Sequence, residues 1–141
     1  MAAFPSQAKP QPMNEPSQQK LIHAAVAVRA NAHAPYSRFQ VGAAVLTASG
    51  EIFAGCNVEN ASYGLTMCAE RVAVGAAVAA GHKQITAIAV ATAGGHSPCG
   101  ACRQVLSEFG PAMEILLVDA DDPAKVRTTS LDKLLPEQFS L

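Results

Sequence analysis

The sequence predicts an α/β domain in which helices cover a mixed sheet of about five strands. Three observations carry this reading. Helical and strand periodicities alternate along the chain. One stretch reads strand, helix, strand. The apolar half of the 141 residues is mostly Ala, Val, Leu and Ile, with no Trp and few aromatics, as suits helices packed closely on a sheet. The length fits one domain with a substantial core.

Pro5, Pro10, Pro12 and Pro16 fall among Gln, Ser and Ala, so residues 1–16 are read as a disordered tail and residues 17–141 as the single domain. Ser17 is expected to cap a first helix, with Leu21, Ala25 and Val28 on one face and an end near Asn31, before Pro35. Val41–Thr47 and Glu51–Val58 read as two strands about an Ala48-Ser49-Gly50 turn. Cys68–Ala80 reads as a helix rich in Ala and Val, closed by Gly81. Ile85–Thr92 has the pattern of a buried strand, and Cys99–Phe109 that of a helix closed by Gly110. Glu114–Asp119 is an apolar strand, Val126–Thr128 a weaker one, and Leu131–Leu135 a short helix capped by Ser130. The unit from Ile85 through the Cys99 helix to Val118 is βαβ, so its two strands are expected to be parallel with a right-handed crossover.

The formal net charge is -1 and no run of Lys or Arg occurs. That leaves out the electrostatic attraction behind most nucleic-acid binding. A small neutral ligand is expected, with no nucleic-acid and no membrane partner. No signal peptide is legible and no apolar stretch is long enough to cross a bilayer, so the protein is read as soluble and cytoplasmic. Four cysteines in such a chain point to metal or catalysis over disulfides.

The chemistry concentrates at two helix starts, Thr66-Met67-Cys68-Ala69-Glu70-Arg71 and Ser97-Pro98-Cys99-Gly100-Ala101-Cys102-Arg103. Cys99 and Cys102 are three apart in a first helical turn, so their sulfurs share a face and can grip one ion. The positive end of a helix favours thiolate, and Cys68 opens its helix in the same way. If the two helices lie side by side, three thiolates converge. A zinc ion with three protein ligands keeps its fourth position for water, the catalytic arrangement. Glu70, two residues after a ligand, can reach that water and move its proton. Arg71, and also Arg103, are candidates to offset the excess thiolate charge by donating to sulfur.

The pairing of Cys68-Ala69-Glu70 with Pro98-Cys99-Gly100-Ala101-Cys102 resembles the zinc nucleobase deaminases. Its three-cysteine form resembles the small cytidine deaminases that act on free nucleosides. Pro35–Ala44, Asn57–Leu65, Cys99–Glu108 and Leu134–Phe139 are similar to that family as well. The resemblance runs from about Ser17 to Phe139, and the stretch between Thr92 and Ser97 looks short for it.

The resemblance implies a three-layer αβα sandwich. It implies hydrolytic deamination of cytidine and deoxycytidine to uridine and deoxyuridine in pyrimidine salvage. It implies one Zn2+ per subunit held by Cys68, Cys99 and Cys102, with Glu70 as proton shuttle. Asn57 and Glu59 would bind the ribose, Phe39 would lie against the pyrimidine, and Ala69 would line the substrate site. It implies a homotetramer with shared active sites, for which Tyr63 and Phe139 are the candidate cross-subunit residues.

Other readings stand beside these. Cys99-x-x-Cys102 alone also suits a redox pair or half of a structural zinc module, and the three-cysteine centre also suits a blasticidin-type deaminase. Asn57 and Glu59 also suit a plain turn, and Phe39 a core aromatic. Cys56 is read as an inert thiol and His96 as a loop histidine without a role; His23, His33 and His82 are read as surface or helix-end residues.

Overall fold

The computed structural model of the protein describes residues 12–141. In chain order these form α1 (Glu15–Arg29), β1 (Gly42–Thr47), β2 (Ile52–Cys56), a single 3-10 turn (Tyr63–Leu65), α2 (Ala69–Ala79), β3 (Ile85–Thr92), α3 (Gly100–Phe109), β4 (Glu114–Asp119), β5 (Val126–Ser130) and α4 (Leu131–Leu134). The five strands make one mixed sheet in the order β2-β1-β3-β4-β5. The β1–β2, β1–β3 and β4–β5 pairs are antiparallel. The β3–β4 pair is parallel, with Ala87 opposite Glu114 and Thr92 opposite Asp119, as the βαβ pattern requires.

Strand alternation sorts the core into two layers. Ala44, Ala87, Ala89, Ala91, Leu116 and Val118 face α1, which sets Leu21, Ile22 and Ala25 upon them. Ala43, Val45, Ile88, Val90, Ile115 and Leu117 face the opposite side, where Ala73, Ala77, Leu106 and Leu131 pack. Helices thus cover both faces of the sheet, giving the αβα sandwich. The alanines under α1 let that helix backbone approach closely, while the larger Val, Ile and Leu face fills the space beneath α2, α3 and α4.

Helix α1 begins earlier than the sequence predicts. Its cap is Asn14, whose side chain accepts from the Ser17 backbone N–H at 3.0 Å, and not Ser17. Pro16 sits in the first turn, where its missing N–H is no loss. Of the expected 1–16 tail, residues 1–11 lie outside the described residues, and residues 15 and 16 are helical. Gly110 ends α3 for a different reason than Gly81 ends α2. Gly81 adopts φ +96°, the left-handed region that favours glycine. Gly110 has extended backbone at φ -171°, but a Cβ there would collide with the Ile85 carbonyl oxygen and lie 2.9 Å from the Met113 methyl.

Candidate metal centre and active site

Cys68 is the residue that caps α2, and Cys99 the one that caps α3. The two helices pack against each other on one face of the sheet, so their N-termini lie together. Cys102 is in the first turn of α3, fully buried. The sulfurs of Cys68, Cys99 and Cys102 all lie within 4.8 Å of one another, close to the spacing that bonds of about 2.3 Å to one zinc impose. Three soft thiolate donors, on two helix N-termini, fit zinc chemically as well as geometrically.

Two side chains tie this cluster to its surroundings. Arg71 Nη2 donates to Cys68 Sγ at 3.7 Å and to the Thr66 carbonyl at 3.2 Å. Cys102 Sγ donates to Glu70 Oε2 at 3.4 Å, which puts the carboxylate beside the sulfurs. Glu70 is only 5% exposed. Burial pushes its carboxyl above the usual carboxylate range, and charge on Cys68 adds to the effect. The Cys68 thiol is pulled down to about 5 by its hydrogen bond with Cys102, burial opposing, and by Arg71. Cys102 is pushed up by that same bond, by burial and by Glu70.

Above the cluster is a cavity of about 290 Å³, lined among others by Phe39, Asn57, Glu59, Ala69, Glu70 and His96. A second hollow of about 370 Å³ shares Ser37, Glu59 and Thr66 with it and adds Tyr36 and Tyr63. A larger one of about 520 Å³, beside α1, is lined by Gln19, Ile22, His23, Val26, Pro123, Ala124 and Val126. It has no thiol or carboxylate, so size alone does not mark the reactive site.

The structure brings together most of the residues singled out in sequence. Asn57 is buried, and its amide is already engaged: Oδ1 accepts from Val41 N–H and Nδ2 donates to the Phe39 carbonyl, both at 2.8 Å. It fastens the segment that carries Phe39 to the end of β2. Glu59 accepts from the Tyr36 and Ser37 backbone N–H groups and from the Ser37 hydroxyl. Its carboxyl is held below the usual range, chiefly by that hydroxyl. Phe39 is 41% exposed and its ring lies 6.0 Å from that of His96.

Arg103 departs from expectation. It donates to the Pro98 and Leu134 carbonyls at 2.8 Å and to the Ser97 hydroxyl at 3.1 Å, and not to sulfur. It locks the loop before Cys99 to the end of α4. Tyr63 and Phe139 are 73% and 68% exposed. Tyr63 lines the second hollow and packs edge-on against Tyr36. Phe139 lines neither hollow; its carbonyl accepts from Gln104 Nε2 at 3.2 Å. Ser37, Thr66 and Thr92 line the main cavity without having been singled out. Ser37 stood two residues from Phe39, but only the fold shows that its hydroxyl meets Glu59.

The family profile described as cytidine and deoxycytidylate deaminase zinc-binding region matches residues 15–118. A Dictyostelium discoideum protein named probable cytidine deaminase is 47% identical over 91% of this chain and 87% of its own length. A cytidine deaminase of Sporosarcina psychrophila is 45% identical over 86% of this chain and 90% of its own. The crystal structure of cytidine deaminase from Burkholderia pseudomallei superposes with a TM-score of 0.82 at 50% identity, covering 90% of this chain and 100% of that one. With the zinc-type cysteine cluster and the fold in agreement, the chain belongs to the cytidine and deoxycytidylate deaminase family.

Proposed function

We propose that the protein hydrolyses the 4-amino group from free cytidine and deoxycytidine, releasing ammonia and leaving uridine or deoxyuridine. One observation carries this reading. Three sulfurs from two helix starts meet beside a cavity that Cys68, Cys99 and Glu70 line, and the Glu70 carboxylate lies 3.4 Å from the Cys102 sulfur.

Cys68, Cys99 and Cys102 would hold zinc, which would supply a Lewis acid able to acidify a water. Glu70 takes the proton of the attacking water and hands it to the ring nitrogen next to C4. The water oxygen bonds to C4; Glu70 then takes the second proton from that hydroxyl and gives it to the amine, so that the C4–N bond breaks, ammonia leaves and C4 keeps a carbonyl oxygen. Arg71 holds Cys68 as thiolate from outside the ligand shell. Asn57 fixes the Phe39 segment, and its remaining N–H and the Glu59 oxygens face a ribose as donor and acceptors. Ala69, small and buried beside Glu70, leaves room for the base.

Cytidine is favoured over a blasticidin-type antibiotic because relatives 47% and 45% identical are named probable cytidine deaminase and cytidine deaminase, whereas a blasticidin-S deaminase of Bacillus cereus is 31% identical. We also assign a homotetramer with shared sites; the exposed Tyr63 and Phe139 rings support a neighbouring chain covering them. A cytoplasmic location accords with the absence, among the described residues, of any helix long and apolar enough to cross a membrane. The test is loss of cytidine absorbance on incubation with purified protein, with uridine identified as product. Ammonia release from the antibiotic but not from cytidine overturns the substrate assignment. Sedimentation velocity tests the tetramer.

A further inference from the structure

The loop between β3 and α3 brings to the cavity a side chain that the sequence left without a role. His96 is exposed and lines the cavity on the same wall as Phe39. Its ring centroid is 6.0 Å from the Phe39 centroid, with the planes tilted by 58°, an aromatic contact of the attractive, non-sandwich kind. That spacing leaves no room for a base between the two rings, so they form one continuous wall.

His96 is built into position. Its backbone N–H donates to Thr92 Oγ1 at 2.7 Å, and Thr92 is buried at the end of the central strand. Gly94 N–H donates to Asp119 Oδ1 at 3.0 Å, pinning the loop to β4 as well. The chain turns there through Gly94 and Gly95, at φ +92° and +72°. A Cβ on Gly94 would come 3.2 Å from His96 Nε2, so the bare glycine backbone lets the imidazole lie down toward the loop. Phe39 is less restrained. Its carbonyl and its N–H are tied to Asn57 and Ser37, but the residue is 41% exposed, and among the described residues His96 is the ring that packs against it.

We infer that His96 is a positioning residue: its imidazole props the Phe39 ring in the orientation that meets the flat face of a pyrimidine. The role belongs to ring packing, and no proton transfer is assigned to it. The inference rests on the deaminase reading of the cavity.

The experiment is steady-state kinetics with cytidine on the zinc-loaded wild type, H96A, H96F and H96Q, together with F39A and the F39A/H96A double variant. Calorimetric binding of uridine gives a second readout free of turnover. An aromatic pair of ordinary strength corresponds to roughly a three- to tenfold rise in KM for H96A and a matching loss of uridine affinity, with kcat falling far less. H96F, which keeps a ring, restores most of the loss; H96Q does not. In the F39A background, H96A adds little, because the two side chains act as one unit. The inference is overturned if H96A leaves KM and uridine affinity at wild-type values, if H96Q rescues better than H96F, or if the two substitutions add independently. Inactivity of the wild type itself would refute the deaminase reading instead, and uridine binding would still report on the wall.

Discussion

The sulfur of Cys102 lies 3.4 Å from Oε2 of Glu70, joining the first turn of α3 to the first turn of α2 across the site. The start of α2 carries one metal donor and the buried carboxylate, and the other two donors come from the start of α3. The reactive geometry is therefore a property of how the two helix starts pack, and it makes Glu70 the residue whose role is most cleanly separable from structure.

Glu70→Gln keeps the shape of the side chain and removes its capacity to carry a proton. The expected outcome is a fall in kcat of several orders of magnitude with unchanged zinc content. Stability is expected to hold or rise slightly, since a buried carboxyl that burial disfavours is replaced by a neutral amide. Activity, bound zinc and thermal midpoint measured on one preparation check this. A drop in zinc content alongside activity would assign Glu70 to the ligand set.

The metal assignment makes a prediction about thiol chemistry. Purified protein is expected to hold one zinc per chain, and Cys102→Ala to lose it. In the zinc-loaded state, alkylation at neutral pH leaves Cys68, Cys99 and Cys102 unlabelled. After chelation, Cys68 labels readily because its thiol is lowered to about 5, and Cys99 because it is exposed. Cys102, buried with a raised pKa, labels last. Peptide mass mapping reads the order. Fast labelling of Cys102 in the zinc-loaded protein would contradict the site.

How far this site was legible depended on the range of each interaction. The cysteine positions were readable because a three-residue spacing at a helix start brings Cys99 and Cys102 to one face through local geometry alone. The cap of α1 was misplaced by three residues because Asn14 and Ser17 are both good capping residues, and Pro16 between them is compatible with either a linker or a first turn. Arg103 lies beside a ligand in sequence, yet its donors go to Pro98, Leu134 and Ser97. The α4 end it meets is over thirty residues away, and no local pattern encodes that. The place of His96 beside Phe39 was hidden for the same reason: it depends on Thr92, on Asp119 from another strand and on two positive-φ glycines.

Close packing of α2 on the sheet is a second determinant of the site. A Cβ on Gly55 in β2 would collide with the Ala73 backbone nitrogen and approach the Ala69 carbonyl oxygen to 2.9 Å. Both atoms are backbone, so α2 must move. Gly55→Ala is expected to destabilise the fold by about 3 kcal/mol, and because Ala69 is the first residue of α2, to lower zinc occupancy too. Gly75→Ala on the same helix meets nothing within 4 Å and is expected to gain about 0.5–1 kcal/mol from helix propensity. Thermal unfolding of the pair separates steric cost from backbone entropy. Equal midpoints would show that β2 and α2 are not in tight register.

Glu59 gives the structure a definite response to acid. Its carboxyl accepts from the Ser37 hydroxyl and from the Ser37 and Tyr36 N–H groups, and these hold its folded pKa below the ordinary carboxylate value. A group lowered on folding binds fewer protons in the native state than in the unfolded chain across that interval. Its stabilisation is therefore fully present above the unfolded-state pKa, near 4.5, and disappears as pH falls through the lower folded value. Glu59→Gln has no such proton to take up. Thermal midpoints recorded from pH 6 down to pH 3 are expected to fall more steeply for the wild type than for Glu59→Gln, with the two curves converging at the acid end. Ser37→Ala, which removes the hydroxyl most responsible for the shift, is expected to lie between them. Parallel curves would mean that the Ser37–Glu59 contact does not persist in solution, leaving Asn57 to anchor the segment that carries Phe39.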